Sequence, residues 1–260
     1  MNPYHFKDTT VISFSGGRSS AYLLYKVLEA HDFSLPDNIH VIFCNTGKEM
    51  PQTLDFVNAC SKNWNVPIVW LEYIGKKKYK EVNYETAARN GEPFEILITQ
   101  RKYLPNSMAR FCTSELKVLT IERYMDCEFD TAVGIRGDEP RRVVKMRNKD
   151  GYHVPLADDK VTEVEISNFW QNQPFDLQLP KAEHNTLSNC DLCFLKGTKI
   201  RKSIIEHNPK LADWWADQEA RIGGRFNKDS PPYKDLKIIA TDQANLFDFD
   251  DTTQSCFCGD

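Results

Sequence analysis

A segment near the start of the chain has the residue types of an anion-binding turn. A mainly apolar run at 11–14 predicts a buried strand, and apolar residues at helical spacing from position 21 predict a helix. Between them lie Ser15, Gly16, Gly17, Arg18, Ser19 and Ser20. Glycine lets the backbone approach an anion closely, and the N–H groups of a helix's first turn point towards it. We therefore predict that these six residues bind nucleotide phosphates; an ordinary turn of small residues is the alternative.

A second polar segment, Asn45-Thr46-Gly47, directly follows the next predicted strand at 39–44. Another strand is predicted at 68–73 after a helix, so that strands and helices alternate in the first part of the chain. Such alternation is typical of a doubly wound parallel sheet, in which ligands bind beyond the carboxyl ends of the strands. We therefore expect Asn45, Thr46 and Gly47 to bind the nucleoside half of the same nucleotide.

A dense group of charged residues follows the fourth predicted strand, at 131–134. The group contains Arg136, Asp138, Glu139, Arg141 and Arg142. The guanidinium group of arginine binds phosphate or sulfate oxygens at two points, and the carboxylates are expected either to orient the arginines or to bind Mg²⁺. An exposed, ion-paired loop is the alternative. The candidate catalytic residues are Arg136, Asp138, Glu139, Arg142 and, on a helix predicted at 112–124, Lys117.

The eight cysteines of the chain are a second signal of chemistry. Cys190 and Cys193 form a Cys-x-x-Cys pair, which is typical of a metal site or of a redox-active dithiol without metal. A metal site needs further thiolates, and four of them suit either an iron–sulfur cluster or structural zinc. The further candidate ligands are Cys112, Cys256 and Cys258. The cysteines expected to be packing residues are Cys44, Cys60 and Cys127.

Composition and charge narrow the class of protein. Hydrophobic residues make up 41% of the 260 residues, which is enough for a core and argues against general disorder. The formal net charge of −4 gives no reason to expect nucleic-acid binding by bulk electrostatics. The chain has no run of about twenty apolar residues, and its N-terminus lacks the apolar centre of a signal peptide. We therefore expect a cytoplasmic protein that does not span a membrane.

The chain is expected to divide into a nucleotide-binding domain at 1–150 and a C-terminal segment at 151–260. The first part carries the alternation of strands and helices, and the second part carries the Cys-x-x-Cys pair and the C-terminal cysteines. In the second part, periodic apolar residues that stop at Pro or Gly predict helices at 198–207 and 211–222. The remaining expectations are a helix at 83–90 and extended or irregular backbone at 161–167.

Taken together, these segments resemble the phosphoadenosine phosphosulfate (PAPS) reductase family of the PP-loop adenine-nucleotide hydrolase superfamily. The resemblance implies a five- or six-stranded parallel sheet, an adenine nucleotide such as ATP, and sulfur chemistry. It also favours a [4Fe-4S] cluster over zinc at the cysteines. The matching pieces occur in the family's order: Ser15-Gly16-Gly17-x-x-Ser20, Asn45-Thr46-Gly47, Arg110-Phe111-Cys112 with Lys117-Val118, and Gly134-Ile135-Arg136-x-Asp138-Glu139 with Arg142.

Two positions depart from the patterns that this resemblance implies. Thr113 stands where cluster-bearing members usually have a second adjacent cysteine. A fourth ligand would then come from Cys256 or Cys258, or the cluster would keep one open iron. Ser19 stands where ATP-cleaving members usually have Asp, although the Ser-Gly-Gly sequence itself is closer to those members than to the true reductases.

The resemblance favours an enzyme that binds ATP, cleaves it between the α- and β-phosphates, and activates an acceptor as an adenylate for sulfur transfer. The acceptor is expected to be a small molecule or a nucleic acid. One alternative is a thiol-dependent reductase that releases sulfite from PAPS or adenylylsulfate with a thioredoxin-like reductant. A second alternative is a non-catalytic nucleotide-binding protein with structural zinc. The sequence leaves the oligomeric state open, a homodimer included.

Overall fold

A six-stranded sheet is the framework of the protein in a computed structural model, which describes residues 2–179 and 190–242. The strands are β1 (Thr10–Ser13), β2 (Ile39–Cys44), β3 (Val69–Gly75), β4 (Lys78–Val82), β5 (Asp130–Ala132) and β6 (Tyr152–His153). They lie in the order β4-β3-β2-β1-β5-β6, and every neighbouring pair is parallel except β3 and β4. The expected doubly wound α/β fold is confirmed, with β4 as an antiparallel edge strand that the sequence analysis missed.

Helices connect the strands and form most of the described C-terminal part. They are α1 (Arg18–Ala30), α2 (Pro51–Trp64), α3 (Glu92–Arg101), α4 (Phe111–Thr113), α5 (Leu119–Met125), α6 (Pro140–Arg147), α7 (Pro155–Asp158), α8 (Glu163–Gln171), α9 (Thr198–His207), α10 (Leu211–Ile222) and α11 (Tyr233–Thr241). The helices expected at 198–207 and 211–222 are confirmed as α9 and α10. The helix expected at 83–90 is wrong, because that stretch forms turns and bends and α3 begins later. Within the described ranges, no helix is long and apolar enough to cross a membrane.

The extended backbone expected at 161–167 is also wrong, because α8 begins at Glu163. The Thr162 side chain accepts a hydrogen bond from the Glu165 N–H, and the Glu165 carboxylate accepts one from the Thr162 N–H. This reciprocal capping box stabilises the start of the helix, and its Thr-x-x-Glu sequence was a signal that we missed. Trp170 of α8 packs against Phe56 of α2 with ring centroids 4.9 Å apart, so α8 covers the α1 and α2 face of the sheet.

The single helix expected at 112–124 is interrupted by a π-helical turn. This turn, Ser114–Val118, lies between α4 and α5 and is wider than a turn of α-helix. Such turns are rare and are frequently found at functional sites. Glu115 within the turn pairs with Arg101 of α3 at 2.6 Å and with Arg123 of α5 at 3.0 Å. These ion pairs anchor the turn to both helices.

The described C-terminal helices share an apolar cluster with α3. Phe94 of α3 packs against Trp215 of α10 with ring centroids 5.9 Å apart, and Trp215 stacks on Tyr233 of α11 at 5.3 Å. Leu192 and Cys193 belong to the same cluster. The Cys-x-x-Cys segment is therefore packed against elements from both parts of the chain, and a domain boundary at residue 150 stays a prediction.

Candidate functional site

The turn at 15–20 connects β1 to α1 and is held by its own serines. The Ser15 N–H donates to Ser20 Oγ at 3.2 Å, and Ser20 Oγ donates to the Gly17 carbonyl at 2.9 Å. The Gly17 N–H donates to Ser15 Oγ at 3.3 Å. Among the described residues, no side chain forms a capping hydrogen bond at the start of α1. The N–H groups of its first turn, which have no partner within the helix, are therefore not bonded to a capping side chain.

Two glycines bring neighbouring segments against this turn. Gly16 has a φ of +80°, and a Cβ there would lie 2.6 Å from Cγ2 of Thr53 in α2. Gly134 follows β5, and a Cβ there would lie 2.8 Å from the backbone N and Cα of Ser20. A side chain at either position would displace its neighbours. The loops after β1 and β5 therefore meet at the carboxyl edge of the sheet, as expected for adjacent parallel strands.

Arg18, at the start of α1, is tied to the segment after α8. Its Nε donates to Asp176 Oδ1 at 2.8 Å, and its Nη2 pairs with Asp176 Oδ2. The Arg18 carbonyl also accepts a hydrogen bond from Trp170 Nε1 at 3.2 Å. The Arg18 guanidinium thus binds a carboxylate in this structure. The expected contacts of Arg18 and Ser19 with a nucleotide phosphate stay predictions.

Asn45, Thr46 and Gly47 form a buried loop after β2. Gly47 has a φ of +77°, and a Cβ there would lie 2.9 Å from the backbone nitrogen of Gly91. The N–H and the hydroxyl of Thr46 both donate to the Glu49 carboxylate, at 3.0 and 2.8 Å. Glu49 therefore holds the loop by two hydrogen bonds, and the shape of the loop depends on glycine at position 47.

The Cys-x-x-Cys pair lies directly against this loop. Thr46 Oγ1 is 3.6 Å from Cys190 Sγ, and Glu49 and Cys190 form an antiparallel backbone bridge. The Lys48 carbonyl accepts a hydrogen bond from the Asp191 N–H at 2.7 Å, and Lys48 Nζ pairs with the Asp191 carboxylate at 2.9 Å. The segment expected to bind a nucleoside and the pair expected to bind metal are therefore adjacent.

Cys112 and Lys117 reach the same place from α4 and the π-helical turn. Burial raises the pKa of the Cys112 thiol to about 12, and the nearby Cys193 adds to that increase. Burial also raises the pKa of Cys193 and raises the pKa of Cys190 well above its usual value. The charge of Lys117 opposes the increase in pKa at all three thiols and at the buried carboxyl group of Glu49. The three thiols also share one apolar cluster, in which Cys193 is a buried member and Cys112 and Cys190 pack against it.

The structure describes three of the five expected metal ligands, Cys112, Cys190 and Cys193. Cys256 and Cys258 fall outside the described residues. In the part of the chain that the structure describes, no group of three or more His, Cys, Asp or Glu side chains has the arrangement of a metal-ion site. Cys44 and Cys60 are buried, as expected of packing residues, whereas Cys127 is exposed, so its expected packing role is wrong.

The charged group after β5 is held by its own ion pairs. Arg136 Nε donates to Asp138 Oδ1 at 2.8 Å, and the Arg136 backbone N–H donates to Glu139 at 3.1 Å. Glu139 also pairs with Arg142 at 2.6 Å. These ion pairs match both the expected orientation of the arginines by the carboxylates and the alternative of an ion-paired loop, so the catalytic role of the group and Mg²⁺ binding stay predictions.

A cavity of about 820 Å³ runs along the sheet between the π-helical turn and α6. Lys117 and Arg142 line it, together with Ser13 at the end of β1 and Thr113 beside Cys112. Two buried atoms of Arg142, Nε and Nη2, have no hydrogen-bond partner among the described residues. Since an unpaired buried donor costs about 1–3 kcal/mol, an anion in the cavity would relieve this cost.

Comparison with known sequences identifies the family. Residues 9–150 match the phosphoadenosine phosphosulfate reductase domain. The chain belongs to the phosphoadenosine phosphosulfate reductase family. The match includes the loops after β1, β2 and β5 and the π-helical turn, and it ends before the Cys-x-x-Cys pair. The resemblance inferred from short motifs is thereby confirmed.

Two known proteins show wider likenesses to this PAPS reductase-family chain. The uncharacterized nin region protein ORF290 of Escherichia phage lambda is 35% identical in an alignment 211 residues long, which covers 73% of this chain and 67% of that protein. The solved structure of U34-tRNA thiolase NcsA from Methanococcus maripaludis with its [4Fe-4S] cluster matches 97% of this chain and 80% of its own, at 13% identity and a TM-score of 0.42. The likeness to the phage protein is longer than the matched domain, so it includes residues outside 9–150.

Lys48 and Asp191 are charged residues beside the site that were not predicted from the sequence. Their ion pair is buried, and Lys48 Nζ also lies 5.1 Å from the ring centroid of Trp214. Lys48 directly follows the loop after β2, and Asp191 lies inside the Cys-x-x-Cys pair. Each residue adjoins a candidate motif, and this was the feature of the sequence that could have identified both as site residues.

Proposed function

We propose that this PAPS reductase-family protein binds ATP at the carboxyl edge of the sheet, cleaves it between the α- and β-phosphates, and transfers sulfur to an acceptor. The observation that carries the proposal is the 3.6 Å contact between Thr46 Oγ1 and Cys190 Sγ. Thr46 belongs to the segment expected to bind the nucleoside, and Cys190 belongs to the pair expected to take part in sulfur chemistry. A nucleotide bound at this loop would lie beside buried thiols.

The phosphates are proposed to bind between the turn at 15–20 and the cavity. The first-turn N–H groups of α1 supply donors for an anion, and Gly134 lets the loop after β5 approach them closely. The two unpaired donors of Arg142, with Lys117 on the opposite wall, would bind the leaving pyrophosphate. Donors that are already oriented towards a leaving group lower the barrier to its departure.

The proposed reaction has two steps and involves no net oxidation or reduction. An acceptor oxygen attacks the α-phosphorus of ATP, the bond from that phosphorus to the α–β bridging oxygen breaks, and pyrophosphate leaves. A hydrosulfide ion then attacks the acceptor carbon that bears the adenylated oxygen, and AMP leaves with that oxygen. In such phosphate chemistry the protein contributes mainly positioning and charge stabilisation.

Cys112, Cys190 and Cys193 are the residues that would hold an iron–sulfur cluster in this reaction, and these three ligands would leave one iron open. Cys256 or Cys258 would be a fourth ligand only in a cluster that does not take up hydrosulfide. The chemistry of the cysteines fits, because thiolates are the usual ligands of such clusters. When bound, the cluster supplies a Lewis-acidic iron for hydrosulfide. The buried thiols must lose their protons to bind it, and the nearby Lys117 charge favours that loss.

Product analysis tests the proposed reaction. Protein purified without oxygen is incubated with ATP labelled at the α-phosphate, hydrosulfide, and an ATP-depleted cell extract as the source of acceptors. We expect AMP and pyrophosphate in equal amounts, and we expect both to be lost with Arg142→Met but kept with Arg147→Met. ADP and phosphate as the products, or no turnover by a protein that binds ATP, would contradict the proposal. Sulfite release from PAPS would instead support the reductase.

Iron and sulfur provide readouts that do not depend on turnover. The purified protein should contain iron and acid-labile sulfide, and single Ser substitutions at Cys112, Cys190 or Cys193 should lower the iron content. Labelled sulfur from hydrosulfide should appear in the acceptor fraction only with ATP. Zinc in place of iron, without sulfur transfer, would contradict the proposal and support the non-catalytic alternative.

A further inference from the structure

A buried carboxylate of β3 reaches the loop that follows β2. Glu72 lies in the middle of β3, and its side chain is fully buried. Its Oε1 accepts a hydrogen bond from Asn45 Nδ2 at 2.6 Å and another from the Ala88 N–H at 2.6 Å. A buried carboxylate must be hydrogen-bonded or paired to be stable in the core. Glu72 therefore joins the loop at 45–47 to the segment that precedes α3.

The charge of Glu72 is balanced by a lysine on the edge strand. Glu72 and Lys80 are directly opposite each other in the antiparallel pairing of β3 with β4. Lys80 Nζ lies 2.9 Å from Glu72 Oε2, and the Lys80 side chain reaches this carboxylate from the surface. A buried charge that has lost its partner is strongly destabilising. The edge strand thus supplies the cation that allows a carboxylate to be buried beside the loop.

Asn45 links the carboxylate to the backbone of the loop. Its Nδ2 also donates to the Ala88 carbonyl at 2.8 Å, and its Oδ1 accepts a hydrogen bond from the Gly47 N–H at 3.0 Å. A flipped amide would place Oδ1 against two oxygen atoms, so the network fixes the orientation of the Asn45 amide. An asparagine side chain has two N–H donors, and both are used inside the protein. Because Asn45 is also fully buried, its amide has no donor left for a ligand.

We propose that Glu72 is a positioning residue for the nucleotide, and that it acts through Asn45, whose own side chain does not contact the nucleotide. The inference rests on the proposed function, because it takes the loop at 45–47 as the site of the nucleoside. Loss of the Glu72 acceptor releases the Asn45 amide, and with it the bond to the Gly47 N–H. The loop then has to be ordered when the nucleotide binds, and this ordering weakens binding.

A second buried carboxylate provides a matched control. Glu219 of α10 is buried, and its two oxygens accept backbone hydrogen bonds from Phe226 at 3.1 Å and from Tyr233 at 2.8 Å. Both of these partners lie in the apolar cluster of the C-terminal helices. Glu72→Met and Glu219→Met therefore each remove one negative charge and a buried acceptor of two hydrogen bonds. If Glu72 only stabilised the fold, the two variants would affect the loop and the nucleotide alike.

Two measurements on the full chain test the inference. Calorimetry gives the Kd for ATP, and hydrogen exchange followed by mass spectrometry gives the protection of the loop at 45–47 without ATP. Because Glu72→Met removes hydrogen bonds to a charged acceptor, we expect it to raise the Kd about tenfold and to speed exchange in the loop about tenfold. Glu72→Gln keeps the Oε1 acceptor, so both quantities should stay within about threefold of the wild type. Glu219→Met should change neither by more than about twofold.

The role of Asn45 as the link is tested separately. If Glu72 acts through Asn45, the double variant Asn45→Ala/Glu72→Met should bind ATP no more weakly than the weaker of the two single variants, since both changes break the same link. Asn45→Ala also carries both measurements if Glu72→Met does not fold. In the wild type with ATP bound, we expect no nuclear Overhauser effect between the Asn45 side-chain amide protons and the nucleotide.

Four results would overturn the inference. They are a folded Glu72→Met with unchanged Kd and loop exchange, equal effects of Glu219→Met, losses of affinity that multiply in the double variant, and a nuclear Overhauser effect between the Asn45 amide and ATP. Failure of the proposed function gives a different pattern, because the wild type would then not bind ATP while the faster loop exchange of Glu72→Met would persist. If ATP binds equally well to the wild type and to Glu72→Met, the function stands and the positioning role fails.

Discussion

Lys48 Nζ lies 2.9 Å from the Asp191 carboxylate, and this ion pair is buried between the loop after β2 and the Cys-x-x-Cys pair. Asp191 also accepts a hydrogen bond from Trp215 Nε1 at 2.8 Å, while the ring of Trp214 covers the Lys48 ammonium. The pair connects the family-matched part of the chain, residues 9–150, to the described C-terminal part. It therefore fixes the position of the cysteines relative to the loop.

Replacement of Asp191 by Asn should destabilise the protein strongly. The change leaves the Lys48 charge buried without its partner, and breaking a buried pair in this way costs about 3–5 kcal/mol. We expect a loss of about 3 kcal/mol in the free energy of unfolding, measured by urea denaturation. Asp213→Asn is the matched control, because Asp213 pairs with Lys237 at the surface and should cost less than about 1 kcal/mol. Equal losses in the two variants would show that the buried pair has no special role.

Replacement of Gly134 by Ala should disrupt the turn at 15–20. The new Cβ would lie 2.8 Å from the Ser20 backbone, and overpacking of this kind costs about 1–3 kcal/mol. We expect the variant to have a lower melting temperature than the wild type. We also expect ATP to raise the melting temperature of the wild type but not that of the variant. Gly224→Ala is the control, because the nearest described atom to its new Cβ would be Leu104 Cδ1, 3.9 Å away. An unchanged response to ATP in Gly134→Ala would contradict the proposed phosphate site.

Replacement of Arg142 by Met should weaken ATP binding without unfolding the protein. The change removes two unpaired buried donors, and hydrogen bonds between charged groups contribute about 1.5–3 kcal/mol. The Kd for ATP, measured by isothermal titration calorimetry, should rise about 10- to 100-fold. Arg147→Met removes the same charge from the exposed side of α6 and should leave the Kd within about twofold. A similar Kd in both variants would mean that Arg142 does not contact the nucleotide.

Replacement of Glu115 by Gln should have an effect on stability that depends on pH. Partial burial alone would raise the pKa of Glu115, but hydrogen bonds and charges from Arg123 and Arg101 lower it on balance. A lowered pKa in the folded state stabilises the protein above the unfolded-state value of about 4.3, and this contribution is lost as the pH falls through the folded-state value. We expect Glu115→Gln to lose about 1–2 kcal/mol at pH 7.

The difference between wild type and Glu115→Gln should shrink as the pH falls below about 4. Urea denaturation of both proteins at pH 7, 5 and 3.5 measures this difference in the free energy of unfolding. Glu206→Gln is the control, because Glu206 pairs with Lys202 on the surface of α9. A difference that stays constant with pH would show that the Glu115 charge does not anchor the π-helical turn.

The parts of the site that depend on local sequence were predictable. The turn at 15–20 and the loop at 45–47 use glycine where the backbone takes a positive φ or lies close to a neighbour, and each directly follows a strand with a clear apolar pattern. Parallel strands then place both loops at one edge of the sheet. The π-helical turn was not predicted from the local sequence, and its residue Glu115 pairs with Arg101 of a different helix and with Arg123.

Contacts between distant parts of the chain account for most of what was missed. The Lys48–Asp191 pair joins residues from opposite halves, and nothing in the local sequence around Lys48 indicates its partner. The edge strand β4 was missed because the Lys-rich run at 76–80 reads equally well as an exposed loop. The start of α8 was missed for a different reason. Its capping box, Thr162-x-x-Glu165, was present in the local sequence and was overlooked.

A crystal structure with α,β-methylene-ATP, which resists cleavage between the α- and β-phosphates, tests the central claim most directly. We expect the phosphates at the first-turn N–H groups of α1, with Arg142 Nε or Nη2 bonded to the β- or γ-phosphate. The nucleoside should lie against the loop at 45–47, beside Cys190. An analogue bound at another surface, or phosphates that contact neither α1 nor Arg142, would contradict the account.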